Sequence, residues 1–161
     1  MQASDGRSGS DHGDAVHLTR DQACNLAEQL FTKSSMAGIH RRRKLKGGDI
    51  VAAERLSRWV RQNEILSGFL MKRGDQVPSW KRRFFVLAPP LLVYYHRGGD
   101  DTPRGAIRLN EPFSISTEAD SEHQYLPFFF MIRTPQRCYM FQADSGSTLQ
   151  RWIDKLDMMV K

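Results

Sequence analysis

Three basic side chains lie at a spacing that could bind phosphate groups. Lys72 ends one run of alternating residues, and Lys81 and Arg83 open the next. Side chains two apart on a strand share a face, so Lys81 and Arg83 lie on the same face as the core-type residue Phe85. Charges inside a closed core are costly, but an opening that admits water or a charged ligand tolerates them. Because Arg offers forked donors and Lys a mobile point charge, we expect a phosphate-binding rim.

The elements that must position these cations are short strands. From Gly68 onward apolar residues recur with a period of two, and turn-forming residues separate the runs. Seven such runs with regular turns predict a small antiparallel β-barrel or sandwich. The predicted strands are Gly68–Arg73, Trp80–Ala88, Leu91–His96, Gly105–Leu109, Phe113–Thr117, Leu126–Arg133 and Arg137–Ala143.

Helical periodicity marks both ends of the chain. Residues 149–160 carry an apolar stripe that includes Trp152, and Ser147 with Gln150 forms a candidate capping box for this last helix. Residues 1–16 are Gly, Ser and Asp with little to bury, which predicts a disordered tail. Two short helices follow within an extension at 17–66. The first has a capping box of Thr19 and Gln22, and the second begins with Asp49 as N-cap. Helices this short need packing partners, either each other or the strands.

Positive charge is concentrated in the middle of the chain. Residues 40–97 carry fourteen basic and four acidic side chains, whereas the whole chain has a net charge of +6. Such asymmetry favours an anionic partner. The run Arg41–Lys46 fits a nuclear localisation signal, a nucleic-acid patch or a second membrane contact, and we favour the membrane. Binding of nucleic acid is not expected, because no aromatic stacking platform is evident.

Several local motifs resemble pleckstrin-homology (PH) domains. They are Gly68–Gly74, Trp80–Leu87, Leu92–Tyr95, Pro103–Ile107 and Tyr139–Ala143 followed by Leu149–Ile153. The resemblance covers residues 67–161 and implies a mainly β fold with α-helices. Its seven antiparallel strands form a barrel of two near-orthogonal sheets, capped by the C-terminal helix and preceded by the two N-terminal helices.

The resemblance also implies a lipid-headgroup site. Lys72, Lys81 and Arg83 match the family's phosphoinositide signature, and Tyr95 and Arg104 match further headgroup contacts. Arg73 could reach the same headgroup, while Val77 and Trp80 could contact the membrane together with Arg41, Arg42, Arg43 and Lys44. The loop between Arg73 and Lys81 contains Asp75 and no cation, so phosphatidic acid is an expected headgroup beside phosphoinositides.

The expected function is non-catalytic membrane targeting or lipid sensing. No catalytic motif, cofactor motif or metal-ligating cluster is present, and two distant cysteines indicate a reducing, cytoplasmic setting. We therefore expect a monomeric peripheral protein on the cytosolic face of a membrane, with anionic lipids as partners. The alternative is an adaptor that binds a protein through its N-terminal helices without a specific lipid.

The helical extension is similar to that of acylated PH-domain proteins of apicomplexan parasites, which implies a role in vesicle exocytosis. Gln2 follows Met1 here, so this chain lacks the glycine that an N-myristoylation signal requires.

Overall fold

The computed structural model describes residues 17–31, 47–74, 79–119, 121, 123 and 125–160. The predicted tail at 1–16, the basic run Arg41–Lys46 and Val77 lie outside the described residues. The elements of the described part are α1 (Arg20–Phe31), α2 (Gly47–Gln62), β1 (Leu66–Arg73), β2 (Trp80–Ala88), β3 (Leu91–Tyr95), β4 (Gly105–Arg108), β5 (Ser114–Ser116), β6 (Phe129–Arg133), β7 (Cys138–Gln142) and α3 (Gly146–Asp157).

The predicted seven antiparallel strands are confirmed. They form one hydrogen-bonded sheet with the strand order β4-β3-β2-β1-β7-β6-β5. Each strand overlaps its predicted run. The largest difference is at the start of β6, which was expected at Leu126 and lies at Phe129.

The interior of the barrel holds one apolar core that α3 completes. Trp152 and Leu156 of α3 are fully buried against side chains from β1, β2, β3, β4, β6 and β7. Phe85 of β2 packs edge-on against Phe141 of β7, with ring centroids 5.4 Å apart. Because this core joins both halves of the strand order, the prediction of a barrel capped by the C-terminal helix is confirmed.

The helix caps agree with the sequence prediction in one of three cases. Thr19 and Gln22 form the predicted reciprocal capping box of α1, with distances of 2.9 and 3.1 Å. The predicted N-cap of α2 is wrong, because the helix begins at Gly47 and includes Asp49 in its first turn. The predicted cap of α3 is also wrong. Ser145 takes that place and accepts a 3.1 Å hydrogen bond from the Thr148 amide, so the helix starts before Ser147.

The two N-terminal helices pack on the outer face of the barrel. Ala23 and Ala27 of α1 and Leu56 and Val60 of α2 form a second buried cluster with outward-facing residues of β2 and β3 such as Val93. The indole nitrogen of Trp59 donates a 3.0 Å hydrogen bond to the Leu18 carbonyl. Most of the apolar stripe of each helix is therefore buried inside the molecule, and the extension covers one side of the sheet.

Candidate anion-binding site at the mouth of the barrel

The connections β1–β2, β3–β4 and β6–β7 lie at one end of the barrel, which we call the mouth. Lys72 is the register partner of Lys81, and Leu70 is the partner of Arg83. Register partners on neighbouring strands share a face. Leu70 and Phe85 are buried in the core, so the interior face of β1 and β2 continues from the core to the three predicted cations. The strand alternation seen in the sequence thus holds in the structure.

Lys72 is the most deeply placed cation of the mouth. Its Nζ atom lies 5.3 Å from the centroid of the Tyr94 ring, a cation–π distance. Burial, followed by the positive charges of Arg137 and Arg83, lowers the pKa of Lys72 to about 8. The two ion pairs found in the described part of the chain, Arg61–Asp101 and Arg108–Glu28, do not include Lys72. An anion at the mouth would therefore relieve an unfavourable charge.

Arg83 joins this site to the end of β3. Its Nη1 atom donates a 3.1 Å hydrogen bond to the Arg82 carbonyl and lies 3.4 Å from Nδ1 of His96. His96 is exposed. Partial loss of hydration, followed by the charges of Arg83 and Arg104, lowers the pKa of His96. The cations of the mouth therefore disfavour a further positive charge on His96, and they would favour a bound anion.

The tyrosine of the mouth is Tyr94, and the sequence assignment of Tyr95 is corrected. Tyr94 is the register partner of Phe85 and faces the interior, beside Lys72. Tyr95 faces the opposite side and is buried under α2, where its hydroxyl lies 2.9 Å from the hydroxyl of Ser57. Adjacent strand residues point to opposite faces, so only one of the two tyrosines can line the mouth.

Arg104, a predicted headgroup contact, lies at the end of the β3–β4 connection. Its amide donates a 2.7 Å hydrogen bond to the Tyr94 carbonyl, and its side chain is exposed. Burial raises the pKa of Tyr94, and Tyr139 raises it further. The nearby positive charges of Arg83 and Arg104 lower it. Arg83 and Arg104 therefore both act electrostatically on the interior tyrosine.

The sequence analysis missed Arg137, which precedes β7. Its guanidinium carbon lies 4.6 Å from the centroid of the Tyr139 ring, and burial lowers its pKa while Tyr139 raises it. The charge of Arg137 also acts on Lys72, from the side opposite β2. A signal for this residue does exist, because Arg137, Tyr139 and the core residue Phe141 alternate in the same manner as Lys81, Arg83 and Phe85.

Other predicted contact residues lie elsewhere or outside the described part. Arg73 pairs with Trp80 in the register and lies on the outer face of β1, opposite to the face of Lys72, so its contact with the same headgroup stays a prediction. The Trp80 ring is partly exposed, 6.4 Å from the His123 ring. The structure does not describe the predicted membrane contacts Val77, Arg41, Arg42, Arg43 and Lys44.

A groove of about 530 Å³ opens on the outer face of β5, β6 and β7. Its lining includes Met131 and Arg133, which alternate with the core residues Phe130 and Ile132 and thus face away from the barrel interior. It does not gather several cations on one side, so the mouth is the better candidate for an anion.

Neither a metal-binding cluster nor a membrane-spanning helix occurs among the described residues. No cluster of His, Cys, Asp and Glu that could hold a metal ion occurs there. Within the same residues, every helix is too short or too polar to cross a bilayer.

Comparisons with known proteins agree on one family. The PH domain family model matches residues 64–161, more than half of the chain. A PH domain-containing protein of Dictyostelium discoideum is 38% identical over 94 residues, which are 57% of this chain and 11% of that protein. A RAC family serine/threonine-protein kinase homolog of the same organism is 34% identical over 89 residues, or 55% of this chain and 19% of the kinase. A sterol 3-beta-glucosyltransferase of Aspergillus terreus is 33% identical over 97 residues, 60% of this chain and 7% of the enzyme. The chain thus matches only a small part of these relatives.

Solved structures give the same result. The C-terminal PH domain of pleckstrin in complex with D-myo-Ins(1,2,3,5,6)P5 is 31% identical with a TM-score of 0.52, covering 61% of this chain and 96% of that domain. The Slm1-PH domain in complex with phosphoserine is 25% identical with a TM-score of 0.53, covering 62% and 97%. With seven antiparallel strands, a capping helix and a matching family model, this chain belongs to the PH domain family.

Proposed function

We propose that this chain is a non-catalytic module that holds a protein on the cytosolic face of a membrane by binding an anionic phospholipid headgroup at the mouth. PH domains generally mediate lipid or protein binding. Two similar domains were solved with an inositol pentakisphosphate and with phosphoserine, both phosphate compounds. In this proposal the headgroup phosphates contact Lys72, Lys81, Arg83, Arg104 and Arg137, with Tyr94 beneath them.

The environment of Lys72 is the observation that carries the proposal. Its ammonium is partly buried, it lies near the cations Arg83 and Arg137, and its pKa is lowered to about 8. A cation in such surroundings lowers the stability of the free protein, because both desolvation and repulsion oppose its charge. Proteins keep costly groups of this kind mainly at functional sites. A phosphate group placed among the three side chains would remove both penalties.

The headgroup class is either a phosphoinositide or phosphatidic acid. Lys81, Arg83 and Arg104 provide several donors around one opening, which suits more than one phosphate. The β1–β2 connection, by contrast, contains Asp75 and no cation between Arg73 and Lys81. That composition favours a headgroup with fewer phosphates, as in phosphatidic acid.

Membrane contacts beside the mouth would strengthen the attachment. In the sequence, Val77 lies within the β1–β2 connection and Trp80 follows it, and an aromatic ring with a polar edge suits the membrane interface. The basic run that contains Arg41, Arg42, Arg43 and Lys44 would add about 1 kcal/mol for each charge near an anionic surface. Through such an attachment the chain could act as a lipid sensor in vesicle exocytosis.

The alternative proposal is a protein adaptor that uses the N-terminal helices. The apolar faces of α1 and α2 are already buried against each other and the sheet. Ile50 and Val51, 42% and 57% exposed, are what remains for a partner in the described part of these helices. The lipid proposal therefore has the stronger support, and it requires no second protein chain.

Vesicle flotation tests the proposal. We expect the protein to float with phosphatidylcholine vesicles that contain phosphatidic acid or a phosphoinositide, and not with phosphatidylcholine alone. The double variant Lys81→Ala/Arg83→Ala should lose most of this binding. The matched control Arg20→Ala/Arg151→Ala removes the same charge from exposed helical positions and should bind as the wild type does. Equal binding by both double variants would refute a site at the mouth.

A further inference from the structure

Strand β3 carries two adjacent tyrosines that connect different parts of the molecule. Tyr94 points inward, 5.3 Å from the ammonium of Lys72. Tyr95 points outward, and its hydroxyl lies 2.9 Å from that of Ser57 in a buried hydrogen bond to α2. Both Ser57 and Tyr95 are nearly inaccessible to water. Since the two tyrosines share one backbone segment, whatever fixes Tyr95 also limits where Tyr94 can lie.

A second contact joins α2 to the β3–β4 connection. The Arg61 guanidinium donates to the Asp100 carbonyl at 2.9 Å and to the Asp101 carboxylate at 3.2 Å. The Asp100 carboxylate in turn accepts a 2.9 Å hydrogen bond from the Arg97 amide, which closes the turn. This connection begins after Tyr95 and ends at Arg104, so α2 holds the segment that carries one side of the mouth.

The apolar packing of α2 makes these polar contacts effective. Leu56 and Val60 are fully buried on either side of Ser57, against Val93 and its neighbours on the outer face of the sheet. A salt bridge as exposed as Arg61–Asp101 contributes little by itself. A buried hydrogen bond within a packed interface contributes more, because breaking it leaves two polar groups without water. The Ser57–Tyr95 bond is therefore the principal link.

We propose that α2 is a positioning element of the headgroup site, acting through Ser57–Tyr95 and through Arg61 on the β3–β4 connection. This inference rests on the function proposed above and adds a role for the extension, which lies mostly before the segment that matches the family model. In the free protein the helix holds Tyr94, His96 and Arg104 in the arrangement that accepts an anion. Without its contacts that arrangement is populated only part of the time, and the apparent affinity falls by that fraction.

Uncharged substitutions test the inference without removing a cation from the mouth. Tyr95→Phe deletes one hydroxyl, and Tyr125→Phe, at a tyrosine that is 85% exposed, is its matched control. Inositol hexakisphosphate serves as a soluble probe by calorimetry, and phosphatidylcholine vesicles with phosphatidic acid serve as the lipid probe. We expect Tyr95→Phe to weaken binding of both probes by about threefold to tenfold, the effect of one ordinary hydrogen bond. Tyr125→Phe should bind as the wild type does.

The dependence of affinity on salt separates positioning from direct contact. A lost phosphate contact reduces the slope of log affinity against log salt. Tyr95→Phe should therefore lower affinity with an unchanged slope, whereas Arg83→Gln should lower both. Arg61→Gln, compared with Arg58→Gln on the same helix, is a second variant, and both positions are exposed. A reduced slope for Arg61→Gln alone would mean that Arg61 contacts the anion itself and would overturn its positioning role.

The outcomes distinguish this inference from the proposed function. If the wild type binds neither probe, the headgroup site fails and the inference fails with it. If the wild type binds and both Tyr95→Phe and Arg61→Gln bind equally well, only the role of α2 is overturned. Weaker vesicle binding with unchanged binding of inositol hexakisphosphate would also overturn it, because the helix would then act on the membrane and not on the mouth. Circular dichroism at the binding temperature confirms that each variant is folded.

Discussion

The ammonium of Lys72 lies 5.3 Å from the centroid of the Tyr94 ring, at the point where the interior face of β1 passes from the core to the mouth. The ring offers the cation an electrostatic partner but cannot replace the water that burial removes. Lys72 therefore remains the group whose charge responds most directly to a bound anion.

Headgroup affinity should fall as the pH rises through the pKa of Lys72. In the free protein this pKa is about 8, and a phosphate beside the ammonium would raise it again. Above pH 8 binding must then take up a proton, so affinity should drop by about tenfold between pH 7 and pH 9. Calorimetry with inositol hexakisphosphate measures this drop in affinity. Lys72→Arg, whose guanidinium stays charged, should lack the drop, and comparing the two proteins cancels the titration of the probe itself.

The lowered pKa of Lys72 also makes the free energy of unfolding depend on pH. A salt-bridged lysine, whose pKa is raised, would give the opposite dependence. Lys72 titrates near pH 8 when folded and near 10.5 when unfolded. Below pH 8 both states carry the proton, and the cost of the buried charge is fully present. Between these values the unfolded chain binds more protons, so the free energy of unfolding rises with pH.

Urea unfolding at several pH values checks this second prediction. We expect Lys72→Met to be more stable than the wild type at pH 7, with the difference shrinking toward pH 10. At about 1.4 kcal/mol per pKa unit, the shift from 10.5 to about 8 makes the difference at pH 7 at most about 3.5 kcal/mol. A variant that is less stable than the wild type at pH 7 would contradict the interpretation that Lys72 is held at a cost.

Sequence patterns predicted the interior cations because strand alternation depends only on local spacing. Lys81, Arg83 and Phe85 fall on one face whatever the rest of the chain does. The choice between Tyr94 and Tyr95 required the hairpin register, which the two-residue connection at Pro89 and Pro90 sets by pairing Ala88 with Leu91. Counting back from that pair places Tyr94 opposite Phe85, so the short connection between β2 and β3 determines which tyrosine faces the interior.

The contacts of the extension could not be predicted in this way. Its two helices were predicted from periodicity, but the surface against which they pack depends on tertiary structure. Tyr95 is buried because α2 covers it, and the pairing with Ser57, thirty-eight residues earlier, leaves no local pattern. The wrong caps of α2 and α3 have a simpler cause. Ser145 and Ser147 are both acceptable capping residues at the start of α3, and the first turn of α2 begins two residues before Asp49.

Arg137→Gln should weaken headgroup binding although the sequence signature does not include this residue. Its guanidinium is stacked on Tyr139 and acts electrostatically on Lys72. Loss of one charged contact to a phosphate should reduce affinity by about tenfold. Arg133→Gln is the matched control, since Arg133 precedes the same β6–β7 connection but lies on the outer groove. Equal losses in the two variants would indicate general charge attraction and not a contact at the mouth.

A single methyl group at position 105 should disturb the mouth without altering any charge. Gly105 begins β4, and a Cβ atom there would overlap the ring and hydroxyl of Tyr94. Tyr94 must then move from its place beside Lys72, at a cost of about 1 to 3 kcal/mol for an overpacked site. Gly98→Ala, in the same β3–β4 connection, is the control, because its Cβ would make only ordinary contacts with Phe84 at 3.6 Å or more. We expect Gly105→Ala to lower both the melting temperature and the affinity for inositol hexakisphosphate, and Gly98→Ala to change neither by a comparable amount. Unchanged affinity in Gly105→Ala would show that the position of Tyr94 does not matter for anion binding.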